Sequence, residues 1–424
     1  MTAGRQPWAI SLADSGATAW VCPEEALWCV TLDSEAPPAP PEMTRLPEPP
    51  PRLSDVWLYT NADCNLRCAH CLVPPRVLRP SREALLSRAE EARALGATTV
   101  YLTGGEPFLR DDAEELLAEL ATHSAVVVLT NGTLITPGRL VRLRSLVSAE
   151  HLARIAFQVS IDGTEVVHDA RRGRNAYARA VAGIRALVDT GNAPAISTVL
   201  THENLACAPE VTRSVSRLGC RVHHLFLPHA SGRLADRASA VPSSAELLKA
   251  IRRCRDVAAE SGVVLSNHAA IASRIRRPGR RFDGCRGGCA MMVVSAEGEL
   301  YPCPSLIGYP ELADGADSTI LDAMATGRAA HLREATLRER SSCAVCEYRH
   351  FCGGGCAAHA YVAGGAYEAT DPYCEVYRGL IEDCLRMEAE RLLATAVGGE
   401  RDAAVLMPAG VADTVAERYR FGCT

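Results

Sequence analysis

Three cysteines, Cys64, Cys68 and Cys71, stand together in a C-x3-C-x2-C spacing. Cysteine thiolates are the usual ligands of a [4Fe–4S] cluster. Four irons and three local cysteines leave one iron without a protein ligand, and an open metal position binds a reactant. The same spacing also suits a zinc knuckle, with His70 as the fourth donor.

A second cysteine field follows much later: Cys285, Cys289 and Cys303, then Cys343, Cys346, Cys352 and Cys356 as C-x2-C-x5-C-x3-C, then Cys374. Eight thiolates can close two four-iron clusters with four ligands each. Closed coordination suits electron transfer. If Cys289 were not a ligand, one iron would open to substrate. Cys22, Cys29, Cys207, Cys220, Cys254, Cys384 and Cys423 remain. Such cysteines are either buried small hydrophobes or, singly, hydrogen-atom donors to a product radical. His223, His224 and His229 flank the end of a strand, as substrate contacts or as solvated histidines. No residue stands out as a general base, and the catalytic acid–base residue is unknown.

The bulk composition agrees with metal chemistry. The chain has 424 residues, 48% hydrophobic, with 18 cysteines and a net charge of −5. That length buries a large core and leaves room for one or two smaller modules. In a long cytosolic chain, cysteines bind metal or do chemistry rather than form a disulfide framework. Acidic and basic residues are interspersed, which argues against a nucleic-acid partner. Lys249 is the only lysine. No apolar run has the length of a membrane span, so no membrane partner is expected. Met1–Trp8 lacks the blocks of a signal peptide, and a cytoplasmic location is expected.

The elements that must position these cysteines follow from periodicity. Residues 1–52 read as an N-terminal arm or small β extension (Trp8–Leu12, Ala19–Cys22, Trp28–Leu32) with a proline-rich link, Ala36–Pro51. Strands are expected at Val56–Thr60, Thr98–Leu102, Ala125–Leu129, Ile155–Ile161, Ile196–Thr201 and Val222–Leu227. Helical segments follow at Arg82–Leu95, Asp111–Thr122, Pro137–Val147, Ala176–Asp189, Leu205–Leu218 and Ser243–Ser261. Ser81 caps the first helix and Gly96 stops it. Continuously apolar strands alternating with helices predict a parallel sheet covered by helices, with sites at the strands' carboxyl ends. The expected division is a core at 53–262, a bridging segment at 263–282, a cysteine-rich module at 283–375 and a C-terminal helix and tail at 376–424. The module has too little apolar content to fold without metal staples.

Three motifs, at the ends of the first, second and fourth strands, resemble the radical S-adenosylmethionine (SAM) superfamily: the cysteine triplet, Thr103-Gly104-Gly105-Glu106-Pro107, and Ser160-Ile161-Asp162-Gly163. The resemblance covers roughly 54–262. It implies an α/β fold, a partial (β/α)6 TIM-like barrel, in which SAM chelates the open iron. Gly104 and Gly105 would let backbone approach the cofactor, and Glu106 would contribute to holding the methionyl amine. Ser160 and Asp162 would bond ribose hydroxyls or neighbouring polar groups. Asn131 faces the same pocket, or else is a left-handed turn residue before Gly132. His168–Gly173 resembles a stretch whose arginine pairs with the SAM carboxylate; Arg172 is favoured over Arg171, with a surface salt bridge as the other use. The second field resembles the SPASM domain, a loop-rich auxiliary-cluster module. By that resemblance Cys285, Cys289, Cys303 and Cys356 hold one auxiliary [4Fe–4S] cluster, and Cys343, Cys346, Cys352 and Cys374 the other. Three clusters and SAM are then the cofactors, and a flavodoxin- or ferredoxin-like protein the electron donor.

The family reaction cleaves SAM reductively to a 5′-deoxyadenosyl radical that abstracts a substrate hydrogen. The resemblance implies a peptide maturase that cross-links, oxidises, decarboxylates or epimerises a ribosomal peptide. The alternative is a dehydrogenase or epimerase of a sugar-like small molecule. A non-catalytic iron–sulfur carrier would have no use for the glycine and SIDG motifs. In sulfatase-maturing relatives an aspartate follows the counterpart of Cys303; Pro304 stands here, so formylglycine formation is not implied.

Overall fold

In the computed structural model, the described residues are 8–12, 17–22, 26–31, 52–72, 76–277, 280–396 and 405–406. The expected link Ala36–Pro51 and Cys423 lie outside them. The chain forms two compact units.

The larger unit comprises Pro50–Leu265 and Arg286–Glu334. Its strands are β1 (Asp55–Tyr59), β2 (Thr99–Thr103), β3 (Ala125–Thr130), β4 (Ile155–Ser160), β5 (Ala195–Val199), β6 (Val222–Phe226), β7 (Val264–Leu265), β8 (Met291–Val294) and β9 (Leu300–Tyr301). They form one sheet in the order β7-β6-β5-β4-β3-β2-β1-β8-β9. Every pairing is parallel except β8 with β9. The six expected strands are β1–β6, the staves of a partial barrel, and β1 is buried along its whole length.

The helices follow from their ends. Ser81 Oγ accepts from the Ala84 N–H, and Arg82–Ala94 runs to a turn at Gly96 (φ +105°). Pro137 begins the helix Pro137–Leu146 behind a Thr136 cap. Ser243 and Glu246 close a reciprocal capping box on Ser244–Ser261. The helix Ala113–Ala121 covers one face of the sheet: its Leu116 and Leu117 share a small apolar cleft with Phe108, Leu102 and Val128. Alternate residues, Tyr101 and Val127 among them, therefore face the barrel lumen.

Two differences from the sequence reading concern the segment after Phe282, expected as one loop-rich module. First, Met291–Val294 pairs with β1, Met292 opposite Val56 and Val294 opposite Leu58. An open parallel strand edge recruits this apolar run, so 286–334 folds with the sheet. Second, the segment contains short helices, among them Ile320–Ala325, Arg328–Glu334 and Ala357–Gly364.

The smaller unit comprises Met1–Pro49, Ser266–Cys285 and Ala335–Thr424. Its antiparallel sheet runs Trp8–Leu12, Ala17–Cys22, Leu27–Thr31 and Val405–Leu406. The helix Cys374–Ala396 packs against Ser266–Ile275. Arg276 Nε donates to Glu388 Oε1 at 2.7 Å between them. No described helix is long and apolar enough to cross a membrane.

Trp28 is 1% exposed and its Nε1 donates to Ile275 O at 2.8 Å. Trp28→Phe removes the donor and strands a buried carbonyl, at a cost of about 1–3 kcal/mol. A lower urea midpoint by circular dichroism is the expected result.

Candidate active site

The cysteine triplet lies on an irregular loop after β1, and an irregular loop must satisfy its backbone elsewhere. The Gly105 N–H donates to Asn61 O at 2.9 Å and the Glu106 N–H to Asp63 O at 3.0 Å. Asn61 Nδ2 donates to Asp63 O at 2.8 Å and to Glu106 O at 3.0 Å. A Cβ on Gly105 would lie 1.8 Å from Asp63 O; one on Gly104, where φ is +137°, would lie 2.3 Å from Asn61 O. The two glycines thus admit the cysteine loop itself, rather than only a ligand as expected. On the loop's other flank, Arg233 donates from Nη1 to Cys68 O and from its backbone to Cys71 O, both at 3.0 Å. The Ala69 N–H reaches Arg171 O at 2.9 Å.

The three thiols come within electrostatic reach of one another. Burial pushes Cys64 up to about 11, against the Leu66 N–H, with Glu106, Cys68 and Cys71 adding. Burial also raises Cys68, against the Arg172 guanidinium. Bare thiolates are therefore unfavourable here, and a cationic iron–sulfur core relieves that cost. Donors surround the sulfurs: Leu66 N–H at 3.4 Å and Asn131 Nδ2 at 3.8 Å from Cys64 Sγ, Arg172 Nη1 at 3.8 Å from Cys68 Sγ. The donor set fits a three-cysteine [4Fe–4S] site. It does not fit closed zinc, because His70 is turned away. Its Nε2 lies 3.2 Å from Asp162 Oδ2 and its Nδ1 accepts from Arg171 Nη2 at 3.1 Å.

Asp162 is fully buried and both oxygens are engaged. Oδ2 accepts from Arg172 Nε at 2.6 Å and Oδ1 from the Val199 N–H at 2.9 Å. Burial pushes its carboxyl up, but Arg172, His70, Arg171 and His168 together hold it below the usual carboxylate range. Through the Oδ2 contact it orients Arg172. Arg172 is buried, not a surface salt bridge. Arg171 is buried too, but it faces Thr201, Glu203 and Val199.

Glu106 is 1% exposed and staples β2 to β3. Its Oε1 accepts from Thr130 Oγ1 at 2.7 Å and the Phe108 N–H at 3.1 Å, and its Oε2 from the Asn131 N–H at 2.8 Å. Burial raises its carboxyl above the usual range despite these donors. Asn131 is not a left-handed turn residue. Gly132 takes that conformation (φ +75°), and Asn131 Nδ2 also donates to Asn65 Oδ1 at 2.9 Å. Ser160 is half-buried at the end of β4, 3.5 Å from Ser197 Oγ.

The histidines divide. His223 is buried on the helix side, between Thr198 Oγ1 (2.9 Å) and Thr212 Oγ1 (3.1 Å), so it is neither solvated nor a substrate contact. His224 is buried on the lumen side. Reading the sequence alone missed Asn61, Asp63, Thr130 and Arg233 and the structural role of His70. The signal for the first two was their place directly before Cys64.

In the smaller unit, Cys343, Cys346, Cys352 and Cys374 form a linked set. Burial raises Cys374 to about 11, with Cys346 and Cys343 adding. It raises Cys352 to about 12, with Cys374 adding, against the Arg274 charge and the Gly355 and Gly354 N–H groups. The Tyr348 N–H donates to Cys346 Sγ at 3.4 Å. Four such thiols fit a closed cluster. Beside Cys356, burial lowers His359, but Cys356 and Asp371 outweigh it and bring the ring to about 10. Cys285 and Cys356 belong to the smaller unit, Cys289 and Cys303 to the larger. In the latter, Tyr59 Oη donates to Pro304 O at 3.2 Å, next to Cys303.

Residues 58–215 match the Radical SAM superfamily model. The chain is 30% identical over 370 residues to the AdoMet-dependent heme synthase of Methanosarcina barkeri, covering 77% of this chain and 97% of that protein. It is 27% identical over 330 residues to a PqqA peptide cyclase of a Methylobacterium species, covering 74% of this chain and 83% of that one. In fold it is similar to native anSMEcpe with bound AdoMet and Cp18Cys peptide, with TM-score 0.64, 17% identity, and 80% and 99% of the two chains covered. The chain belongs to the radical SAM superfamily. That membership implies a [4Fe–4S] cluster and SAM, and the cysteine-rich C-terminal region fits a SPASM domain.

Gly105→Ala should displace the Asp63–Cys64 backbone. The variant is expected to lose about one cluster's iron and sulfide on quantitation while still folding. A pH effect follows from His223, whose burial holds it down to about 3. An unfolded histidine protonates near pH ~6.5. The unfolded chain therefore binds more protons as pH falls from about 6.5 towards about 3, and stability drops across that window. His223→Gln should make the drop shallower in acid titration followed by circular dichroism.

Proposed function

We propose that this is a radical SAM/SPASM oxidoreductase that matures a ribosomally made peptide. Cys64, Cys68 and Cys71 would hold the SAM-binding cluster. Cys343, Cys346, Cys352 and Cys374 would hold one auxiliary cluster, and Cys285, Cys289, Cys303 and Cys356 the other. Loaded with SAM and reduced, such a cluster would supply the radical chemistry by which a hydrogen is taken from substrate.

The chain's own residues orient and exclude. Gly104, Gly105 and Glu106 fix the height of the cysteine loop against β2. Asp162 fixes Arg172 through its Nε and leaves an Nη group beside Cys68, where a cation suits a carboxylate at the open iron. Asn131 braces Cys64, and Ser160 offers a hydroxyl at the barrel mouth for a ribose. A flavodoxin- or ferredoxin-like donor is the expected source of electrons.

The observation that carries the peptide reading is the similarity to a PqqA peptide cyclase over 83% of that protein. The 30% identity to a heme synthase favours a second reading, a porphyrin-type substrate. Anaerobic reconstitution followed by SAM, dithionite and mass spectrometry tests both. About twelve irons per chain and 5′-deoxyadenosine are expected. A mass change in a short peptide encoded beside the gene supports the first reading, and turnover of a porphyrin the second. A fully loaded protein that leaves SAM intact would sink both.

Replacing Cys64, Cys68 and Cys71 together by Ala should remove about one cluster's iron and abolish SAM cleavage. Iron at the later cysteines should persist, seen as residual iron–sulfur absorption.

A further inference from the structure

The lumen face carries polar atoms that the chain itself leaves unanswered. Strand register sets Trp57, Tyr101, Val127 and Ala156 in one layer. Leu129 and Gln158 pair in the next, with Tyr59 and Thr103. Ser160, Ser197 and His224 form a third, at the mouth. Trp57 is 7% exposed and Gln158 3% exposed. Among the described residues, Trp57 Nε1 and Gln158 Oε1 have no hydrogen-bond partner. Buried polar groups are nearly always paired, and an unpaired one needs an explanation.

The character of these layers narrows what could pair them. Trp57 and Tyr101 stack with ring centroids 4.5 Å apart, an aromatic floor. None of the lumen-facing positions of β1–β6 is a lysine or arginine. Asp55, at the start of β1, is already paired with Arg286 at 3.0 Å. His224 stays neutral near pH 7, because burial lowers it to about 3. A carboxylate entering this lumen would find no cation on the strands, whereas a carboxamide offers both a donor and an acceptor.

We propose that the lumen binds an uncharged, amide-bearing group of the substrate, a backbone peptide unit or a carboxamide side chain. Gln158 is its polar anchor and the Trp57–Tyr101 stack its floor. The inference rests on the peptide reading above and names which part of the peptide enters. Gln158 precedes Ser160 by two residues on one strand, so the anchor sits about 7 Å below the mouth.

The test uses the full-length, reconstituted, SAM-loaded protein and two capped probes, acetyl-Gly-Asn-Gly-amide and acetyl-Gly-Asp-Gly-amide. Binding is read from tryptophan fluorescence, with Trp57→Phe identifying the reporting residue. The neutral probe should bind at least about tenfold more tightly than the charged one. Gln158→Leu and the near-isosteric Gln158→Met should each weaken it about tenfold, the loss of one to two hydrogen bonds. Substrate-free SAM cleavage should stay unchanged in both variants. Equal affinity for the two probes, unchanged affinity in both variants, or no saturable binding at millimolar concentration would overturn the proposal. If affinity is unchanged while a precursor peptide is still modified, only this inference fails. If a porphyrin is turned over while the neutral probe still needs Gln158, the peptide reading fails and the subsite stands.

Discussion

Everything at the active end of the barrel depends on how closely the end of β2 approaches the cysteine loop. The three cluster ligands lie within eight residues that form neither helix nor strand. Such irregular backbone must find partners from outside. Gly105 and Glu106 supply two N–H groups to Asn61 and Asp63, and a Cβ at either Gly104 or Gly105 would collide with the Asn61 or Asp63 backbone. Glu106 then reaches across to Thr130 and Asn131, so the first three strand ends are joined around the loop. The glycine motif acts first as a joint between strands. Its access to a ligand is a consequence of the same thin backbone.

The second constraint is electrostatic. Asp162, His70, Arg171 and Arg172 are packed together beneath the loop. Buried charges are expensive, and breaking such a pair costs more than never having made it. The arrangement is nonetheless economical, since one carboxylate orients Arg172 through Nε while the Val199 N–H satisfies its other oxygen. Arg172 is left with an Nη group near Cys68, so an arginine fixed from behind faces the thiols. A lysine in its place has no second nitrogen to divide between the two tasks.

Much of this was legible in the sequence, and the reason differs from part to part. β1–β6 were readable because periodicity is a local property. The set Cys343, Cys346, Cys352 and Cys374 was separated from the others only by resemblance, not by spacing. The partners of Asp162 and Gly105 were not readable. Residue type gave their capability, but the occupant of that capability is set by which loop folds over them. β8 was missed for a related reason: four apolar residues amid glycine and cysteine have no period, and only an open strand edge makes them a strand. His223 and His224 are adjacent in sequence yet opposite in environment, because the strand alternates faces.

That alternation also separates two kinds of surface in one barrel. The loops at the mouth concentrate thiols, arginines and a buried carboxylate, all suited to a charged cofactor. The lumen below is neutral and aromatic, with isolated polar atoms on Trp57 and Gln158. The mouth is held by backbone contacts and a closed charge network, so it tolerates little change. A strand's lumen position can change side chain without disturbing the helix-facing core behind it. A family that fixes its cofactor machinery at the strand ends can therefore vary substrate below them. Relatives named for heme synthesis and for peptide cyclisation, both similar to this chain over most of their length, are what such a division of labour would produce.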